Sequence, residues 1–278
     1  MWTLFEPVHA VTYFAPEARS AFEEAGLRGF WRGYFAGRAA PLGPVSAAVV
    51  GASFFNFSPA MVTRAIPGVW ELISPAEALR VRQAGAVSAL RGLLGGLESE
   101  VTAAADLLGR AAGEAGCAGR VLAAANAALP PAEDATGRLW QAATALREHR
   151  GDGHYAAMTT ADIDGCEVLV LRCGLDMRRG DLQPIRGWTD EQWDAAAARL
   201  AARGWVSPDG TLTPAGRDVH ATLEIATDQA AARPWARLGP AVADLARVLI
   251  PIAQACAQVV PYPSPIGVPA PAAPGPWT

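Results

Sequence analysis

The chain has 278 residues and a mass of 28.9 kDa, enough for one large domain or two of ordinary size. With 51% hydrophobic and 18% charged residues it can build a sizeable core, which excludes a disordered tail protein and a small disulfide scaffold. The net charge of −4 gives no global basic field toward nucleic acid or an anionic membrane. All 23 basic residues are arginine and more than a fifth of the chain is alanine, the bias of a GC-rich genome rather than a sign of function.

Residues 1–16 have neither a basic start nor an apolar run, so no signal peptide is expected. Residues 17–37 read as helix with a break near Gly26; Phe22, Ala25, Phe30, Tyr34 and Phe35 recur at helical spacing. Ser74-Pro75-Ala76-Glu77 is a helix start, with Ser as N-cap and Pro in the first turn, and that helix runs toward Leu94. Segments 97–113 and 118–129 read as further helices, and Pro130-Pro131 stops the run. The polar stretch 130–136 predicts a domain boundary. Helix is expected over 136–150, then a Gly151-Asp152-Gly153 loop, a short helix over 154–162 and another over 166–173. Thr189 and Gln192 form a capping-box pattern opening a helix that ends at Gly204. Asp209-Gly210 between short β-prone pieces predicts a hairpin, followed by helix over 215–232.

The apolar stretch 241–260 contains Asp244, Arg247, Pro251 and Gln254, so it predicts a core helix kinked or ended near Pro251 rather than a membrane span. Residues 261–278 hold seven prolines and predict an extended tail on the surface or on a partner chain. Cys117, Cys166, Cys173 and Cys256 match no metal or disulfide spacing. They suit a reducing compartment, and a cytoplasmic protein is expected.

Three helices, an Asp-Gly hairpin and a long helix are the order of a winged helix. The stretch 200–217, with Arg203-Gly204-Trp205-Val206, Asp209-Gly210 and Leu212-Thr213 ahead of Gly216-Arg217, resembles the wing of MarR-type regulators; the likeness covers residues 138–232. The whole chain resembles an actinobacterial helix-turn-helix family, on segments 9–14, 29–43 and 146–154. That resemblance implies a fold rather than a mechanism. A weak internal repeat at an offset of 109 places Arg38 on Arg147 and sets Ser74–Glu77 in the role of Thr189–Gln192. The expected fold is therefore mainly α: two winged-helix-like halves related by a pseudo-two-fold axis, with a short β-hairpin wing in the second. The expected divisions are 1–130, 131–240, a core helix over 241–260 and the tail.

In such a fold, residues 189–203 form the recognition helix. Its leading turns carry Asp190, Glu191 and Asp194, and no base precedes Arg199. Residues 187–237 hold seven acids against five bases, and the 207–213 wing has no arginine. Phosphate contacts supply most DNA affinity, so direct DNA binding is not expected there. The helix after Ser74, with Arg80, Arg82 and Arg91, is the more basic alternative.

Two polar clusters stand out. Glu148-His149-Arg150-Gly151-Asp152-Gly153-His154 brings imidazoles, a guanidinium and carboxylates to a glycine turn. Their structural reading is equally simple: His149 complements a helix dipole, His154 caps a helix and Arg150 pairs with Asp152. Trp31-Arg32-Gly33-Tyr34-Phe35 with Arg38, His9 and Tyr13 is either an aromatic core or a pocket in which arginine meets a carboxylate.

No P-loop, dinucleotide fingerprint, nucleophile elbow or zinc-protease motif is present. The leading expectation is a protein that binds a small aromatic or acidic molecule through His9, Tyr13, Trp31, Arg32, Tyr34, Arg38, His149, Arg150, Asp152 and His154. It needs no cofactor, and DNA and membrane are not its partners. A MarR-like ligand-responsive transcriptional regulator is second. An enzyme using haem or a metal through one of the four histidines is third. The oligomeric state stays open.

Overall fold

The computed structural model describes residues 1–270, and they are mainly helical as expected. The helices are α1 (Trp2–Phe14), α2 (Pro16–Glu24), α3 (Phe30–Ala39), α4 (Ala47–Phe54), α5 (Pro59–Thr63), α6 (Val69–Leu72), α7 (Pro75–Leu93) and α8 (Glu98–Gly113). They continue with α9 (Val121–Ala127), α10 (Ala135–Thr160), α11 (Glu167–Cys173), α12 (Arg179–Arg186), α13 (Asp190–Ala202), α14 (Pro214–Ala230), α15 (Arg233–Leu238) and α16 (Ala241–Ala257).

The chain forms two compact units. Unit 1 comprises Met1–Pro44, Val69–His149 and the described residues from Ala232 onward; unit 2 comprises Val45–Gly68 and Arg150–Ala231. The boundary expected at 130–136 falls inside unit 1. The units do not coincide with 1–130 and 131–240, so the partition gives no pair of equivalent halves.

Unit 1 is built on α1, a helix not among those expected from the sequence. Leu4, Phe5, Val8 and Val11 repeat at helical spacing and are buried with Leu90 of α7, Leu108 of α8, Trp140 and Leu146 of α10, and Leu249 and Ile252 of α16. Small residues let these helices approach closely. A Cβ on Gly85 of α7 would lie 2.8 Å from the Ala18 Cα of α2, and one on Gly37 of α3 would lie 2.6 Å from the Phe22 ring. Helix α16 continues through Pro251 to Ala257 rather than ending there. Residues 261–270 are without helix, but Val268 is buried with Ala10 and Val260, so this part of the expected surface tail packs on α1. Residues 271–278 of that tail lie outside the described residues.

Unit 2 packs Leu169 and Val170 of α11, Leu182 of α12, Trp193 and Leu200 of α13 and Leu223 of α14 around one core. Ser74 and Thr189 cap α7 and α13 as expected, the second with a full capping box through Gln192. Helix α12 has no counterpart among the expected helices, and Pro184 lies inside it. The expected Gly151-Asp152-Gly153 loop is instead interior to α10. Each glycine costs about 1 kcal/mol in a helix, but Arg150 and His154, one turn apart, both bond to α14 and hold the turn between them. Among the described residues no strand forms. The expected hairpin is reduced to one antiparallel bridge, Val206 to Leu212. Asp209 closes its turn by accepting from Ser207 and Thr211, and no third strand extends the pairing. Among the described residues no helix is long and apolar enough to cross a membrane.

Candidate functional site

The densest polar cluster lies in unit 1, where α1, α3 and α10 meet. Glu6, His9 and Tyr13 share one face of α1; Tyr34 and Arg38 come from α3, and Thr144, Arg147 and Glu148 from α10. Arg38 and Glu148, 3% and 2% exposed, form a bidentate pair: Nε donates to Oε1 and Nη2 to Oε2, both at 3.0 Å. Arg147 Nη1 donates to the same Oε2 at 2.8 Å, and its Nε to Glu6 Oε1 at 3.4 Å. Trp2 Nε1 donates to the other Glu6 oxygen at 2.9 Å. Both ring nitrogens of His9 are engaged, Nδ1 with the Thr144 hydroxyl and Nε2 with the Tyr13 hydroxyl, each at 3.0 Å. Arg38 Nη1 donates to the Tyr34 hydroxyl at 3.2 Å.

Burial and these neighbours fix the charges. Burial works to raise Glu148, but Arg147 and Arg38 overcome it and hold the carboxyl far below its usual range. Burial raises Glu6 despite Arg147. Burial, then Arg147, hold His9 well below the ordinary imidazole range, so it is neutral. Burial also raises the Tyr13 phenol.

Of the ten expected ligand residues, His9, Tyr13, Trp31, Tyr34 and Arg38 come together here. Trp31 reaches the cluster by ring contact with Tyr34, their centroids 5.6 Å apart. Arg32 is exposed on the other side of α3. His149 is buried in unit 1 but faces elsewhere, one residue round the helix from Glu148. It is pushed down to about 4 by burial and by Arg120, against the pull of the Gly116 backbone. Arg150, Asp152 and His154 fall in unit 2. There Arg150 bonds Glu224 and Asp228 of α14, at 2.9 and 3.2 Å. His154 Nδ1 meets the Thr227 hydroxyl at 2.9 Å. No motif in the sequence singles out Glu6 or Thr144, and Arg147 stands out only through the offset of 109. Their signal is helical phase, since Glu6, His9 and Tyr13 are three and four residues apart. A small cleft of about 20 Å³, room for one water, opens beside the cluster between Tyr13, Phe22, Phe30, Gly33 and Tyr34.

Unit 2 holds a second arrangement. Helices α12 and α13 are joined by Gly187-Trp188-Thr189, the short glycine-containing turn of a helix-turn-helix. The loop before α5 pins this turn. Ser58 N donates to Arg186 O at 2.9 Å, Ser58 Oγ to Gly187 O at 2.6 Å, and Trp188 Nε1 to Asn56 O at 3.0 Å. The carboxylates leading α13 are already held. Arg179 donates to Asp190 at 2.7 Å and to Asp194 at 2.6 Å, and Gln183 donates to Asp190 at 2.9 Å. Arg199 bonds Glu167 and Asp164, and Arg203 bonds the Asp162 and Ala161 carbonyls. A groove of about 650 Å³ between Met177, Trp193, Ala201 and Ser207 runs along this face.

Among the described residues no group of three or more histidines, cysteines or carboxylates is placed to hold a metal ion. All four cysteines are free, and burial pushes Cys166 and Cys256 up to about 12. A family profile described as "Helix-turn-helix family" matches residues 1–263. Comparison with curated proteins gives no match, and neither does comparison with solved structures.

Proposed function

The chain belongs to this helix-turn-helix family, which points to a DNA-binding or regulatory-type protein, and we propose a regulatory-type protein that binds a small molecule in the polar centre of unit 1 without reading DNA through α13. The observation that carries this reading is the charge around α13. Its leading carboxylates occupy the positions that would meet the duplex, and the nearby arginines are spent on them or on backbone carbonyls. Unit 2 as a whole has nine arginines against thirteen carboxylates, a balance of −4, which repels phosphate. The more basic α7 offers little in exchange: Arg82 is buried, Arg80 pairs with Glu77 and Arg91 with Asp134. The finer likeness to a MarR-like winged helix belongs to the same proposal and rests on the sequence pattern of residues 200–217.

The ligand is small and aromatic or acidic, meeting Tyr13, Trp31, Tyr34 and Arg38. A buried ionic centre is costly for folding alone, and such clusters mark functional sites. The second reading, a ligand-responsive regulator that grips DNA, has one observation in its favour: Arg178 at the start of α12 is 87% exposed even though it pairs with Asp181.

Fluorescence anisotropy with a duplex library at physiological salt separates the two. Weak, salt-sensitive binding is expected. Sequence-specific binding near 10⁻⁸ M, lost in Arg178→Ala, would establish the second reading instead. Native mass spectrometry and an absorption spectrum of freshly purified protein test the ligand. A co-purifying small molecule supports the proposal, and a Soret band would replace it with a haem protein.

A further inference from the structure

The buried centre of unit 1 contains more guanidinium groups than carboxylates. Arg38 and Arg147 share Glu148, and Arg147 also reaches Glu6. Glu148 accepts on both oxygens, from Arg38 and Arg147, and Glu6 on both, from Arg147 and Trp2. A third guanidinium, Arg82 of α7, lies within electrostatic reach of Tyr13, Glu148 and His9 and is 6% exposed. Among the described residues it has no carboxylate partner. Its Nη1 donates to the Gly37 carbonyl at 3.0 Å and its Nη2 to Asn126 Oδ1 at 3.2 Å, both neutral acceptors. Its Nε–H is buried without an acceptor. The guanidinium carbon sits 5.1 Å from the ring centre of Trp140, which is 1% exposed and whose own Nε1–H also lacks an acceptor.

A buried charge is stable when paired, and a buried donor when bonded. Two adjacent side chains here leave a positive charge and two N–H groups unanswered, beside a cluster whose carboxylates are already committed. His9 does not alter the balance, because it is neutral. Burial pushes Arg82 down to about 10, against the pull of Tyr13 and Glu148. One negative charge with two acceptor oxygens would satisfy all three demands.

We propose that the ligand of unit 1 is an anion whose carboxylate, or like oxyanion, is taken by the Arg82 Nε–H with the Trp140 indole N–H as second donor. This rests on the ligand-binding reading above and names the chemical class.

Acetate and acetamide, equal in shape and different in charge, test the proposal. The full chain is melted against each at constant ionic strength set with sodium chloride. Acetate should raise the melting temperature with concentration, as a ligand of the folded state does, and acetamide should not. Arg82→Lys keeps the charge but loses the Nε–H, and Trp140→Phe keeps the ring but loses the N–H. Each should weaken the apparent acetate affinity tenfold or more. Should either variant fail to fold, ¹⁵N-labelled wild-type protein gives the same information: one arginine Nε–H and one indole N–H resonance should shift with acetate and stay with acetamide.

Equal stabilisation by acetamide would overturn the anionic class while leaving a ligand site in place. Acetate affinity unchanged in both variants, or shifts at neither type of N–H, would place the anion elsewhere and overturn the assignment. If neither probe binds and no small molecule accompanies the purified protein, the ligand-binding reading falls too.

Discussion

Arg38 and Glu148, 110 residues apart, meet through two parallel hydrogen bonds of 3.0 Å in the interior of unit 1. Arg147, the residue on which Arg38 falls in the offset of 109, donates to the same carboxylate. The pair therefore joins α3 to α10, and Glu148 is the hub of the cluster. Its backbone neighbours in the sequence, His149 and Arg150, point to other partners because consecutive helical residues diverge by about 100°.

Removing the hub should be more harmful than removing the pair. Glu148→Ala leaves Arg38 buried without a counter-charge, which typically costs about 3–5 kcal/mol. Adding Arg38→Leu should return a substantial part of that loss, because Arg147 retains Glu6. Urea unfolding of the two single variants and the double variant measures the coupling. Additive losses would mean that the two side chains are energetically independent.

Stability should fall in mild acid. His9 and His149 are both held below the ordinary value of 6.5, His149 at about 4. As pH drops below 6.5 the unfolded chain takes up protons that the folded chain refuses, so stability declines, by at most about 1.4 kcal/mol per pH unit for each histidine. Glu148, with a depressed value, adds a loss once pH falls below the unfolded value of 4.5. Glu6 runs the other way, since its raised value favours folding at low pH and that contribution is lost as pH rises through it. Between pH 6.5 and 4.5 the histidines dominate. The melting temperature should be flat above pH 7, fall below 6.5, and fall less steeply in His149→Asn. An identical slope in that variant would remove His149 from this account.

His154 and Thr227 offer a parallel test within unit 2. Their side chains meet at 2.9 Å on the α10–α14 contact, and the Thr227 hydroxyl also donates to the Leu223 carbonyl of its own helix. His154→Phe and Thr227→Val should each cost about 1 kcal/mol, the net worth of one hydrogen bond, and the double variant less than their sum. A small-molecule affinity that depends on His154 while stability stays unchanged would return His154 to the ligand site.

Much of the helical order was legible because capping and period are local. Ser74 and Thr189 announced α7 and α13, and the helical spacing of apolar residues announced α2 and α3. What failed was decided at a distance. Gly151 and Gly153 are loop-forming by propensity, yet α14 bonds the turn that contains them. Pro251 reads as a kink or an end, yet it lies inside α16, as Pro7 and Pro184 lie inside α1 and α12; the buried faces of these helices outweigh one missing N–H. Of the candidate site, the residue types were visible and their partners were not. Arg38 was identifiable among its aromatic neighbours, but no local signal told that Glu148 would accept from it.

The turn between α12 and α13 gives the sharpest steric prediction. Gly187 has φ of +74°, and a Cβ there would lie 2.6 Å from Met61 Cβ and 2.9 Å from Ser58 Oγ. Gly210, in the Asp-Gly turn, has φ of +85° but no atom within 4 Å of an added Cβ. Alanine at either position bears the left-handed backbone cost, roughly 1 kcal/mol. Only at 187 does it also collide with the segment that pins the helix-turn-helix. Gly210→Ala should therefore lower stability by about 1 kcal/mol, and Gly187→Ala by clearly more, on the order of 2–4 kcal/mol once overpacking is added. In Gly187→Ala the Ser58–Gly187 bond should loosen as well, which hydrogen exchange reads as lost protection at the Met61 amide, the group that the Ser58 hydroxyl accepts from. Equal losses in the two variants, with Met61 still protected, would mean that α5 does not brace the turn.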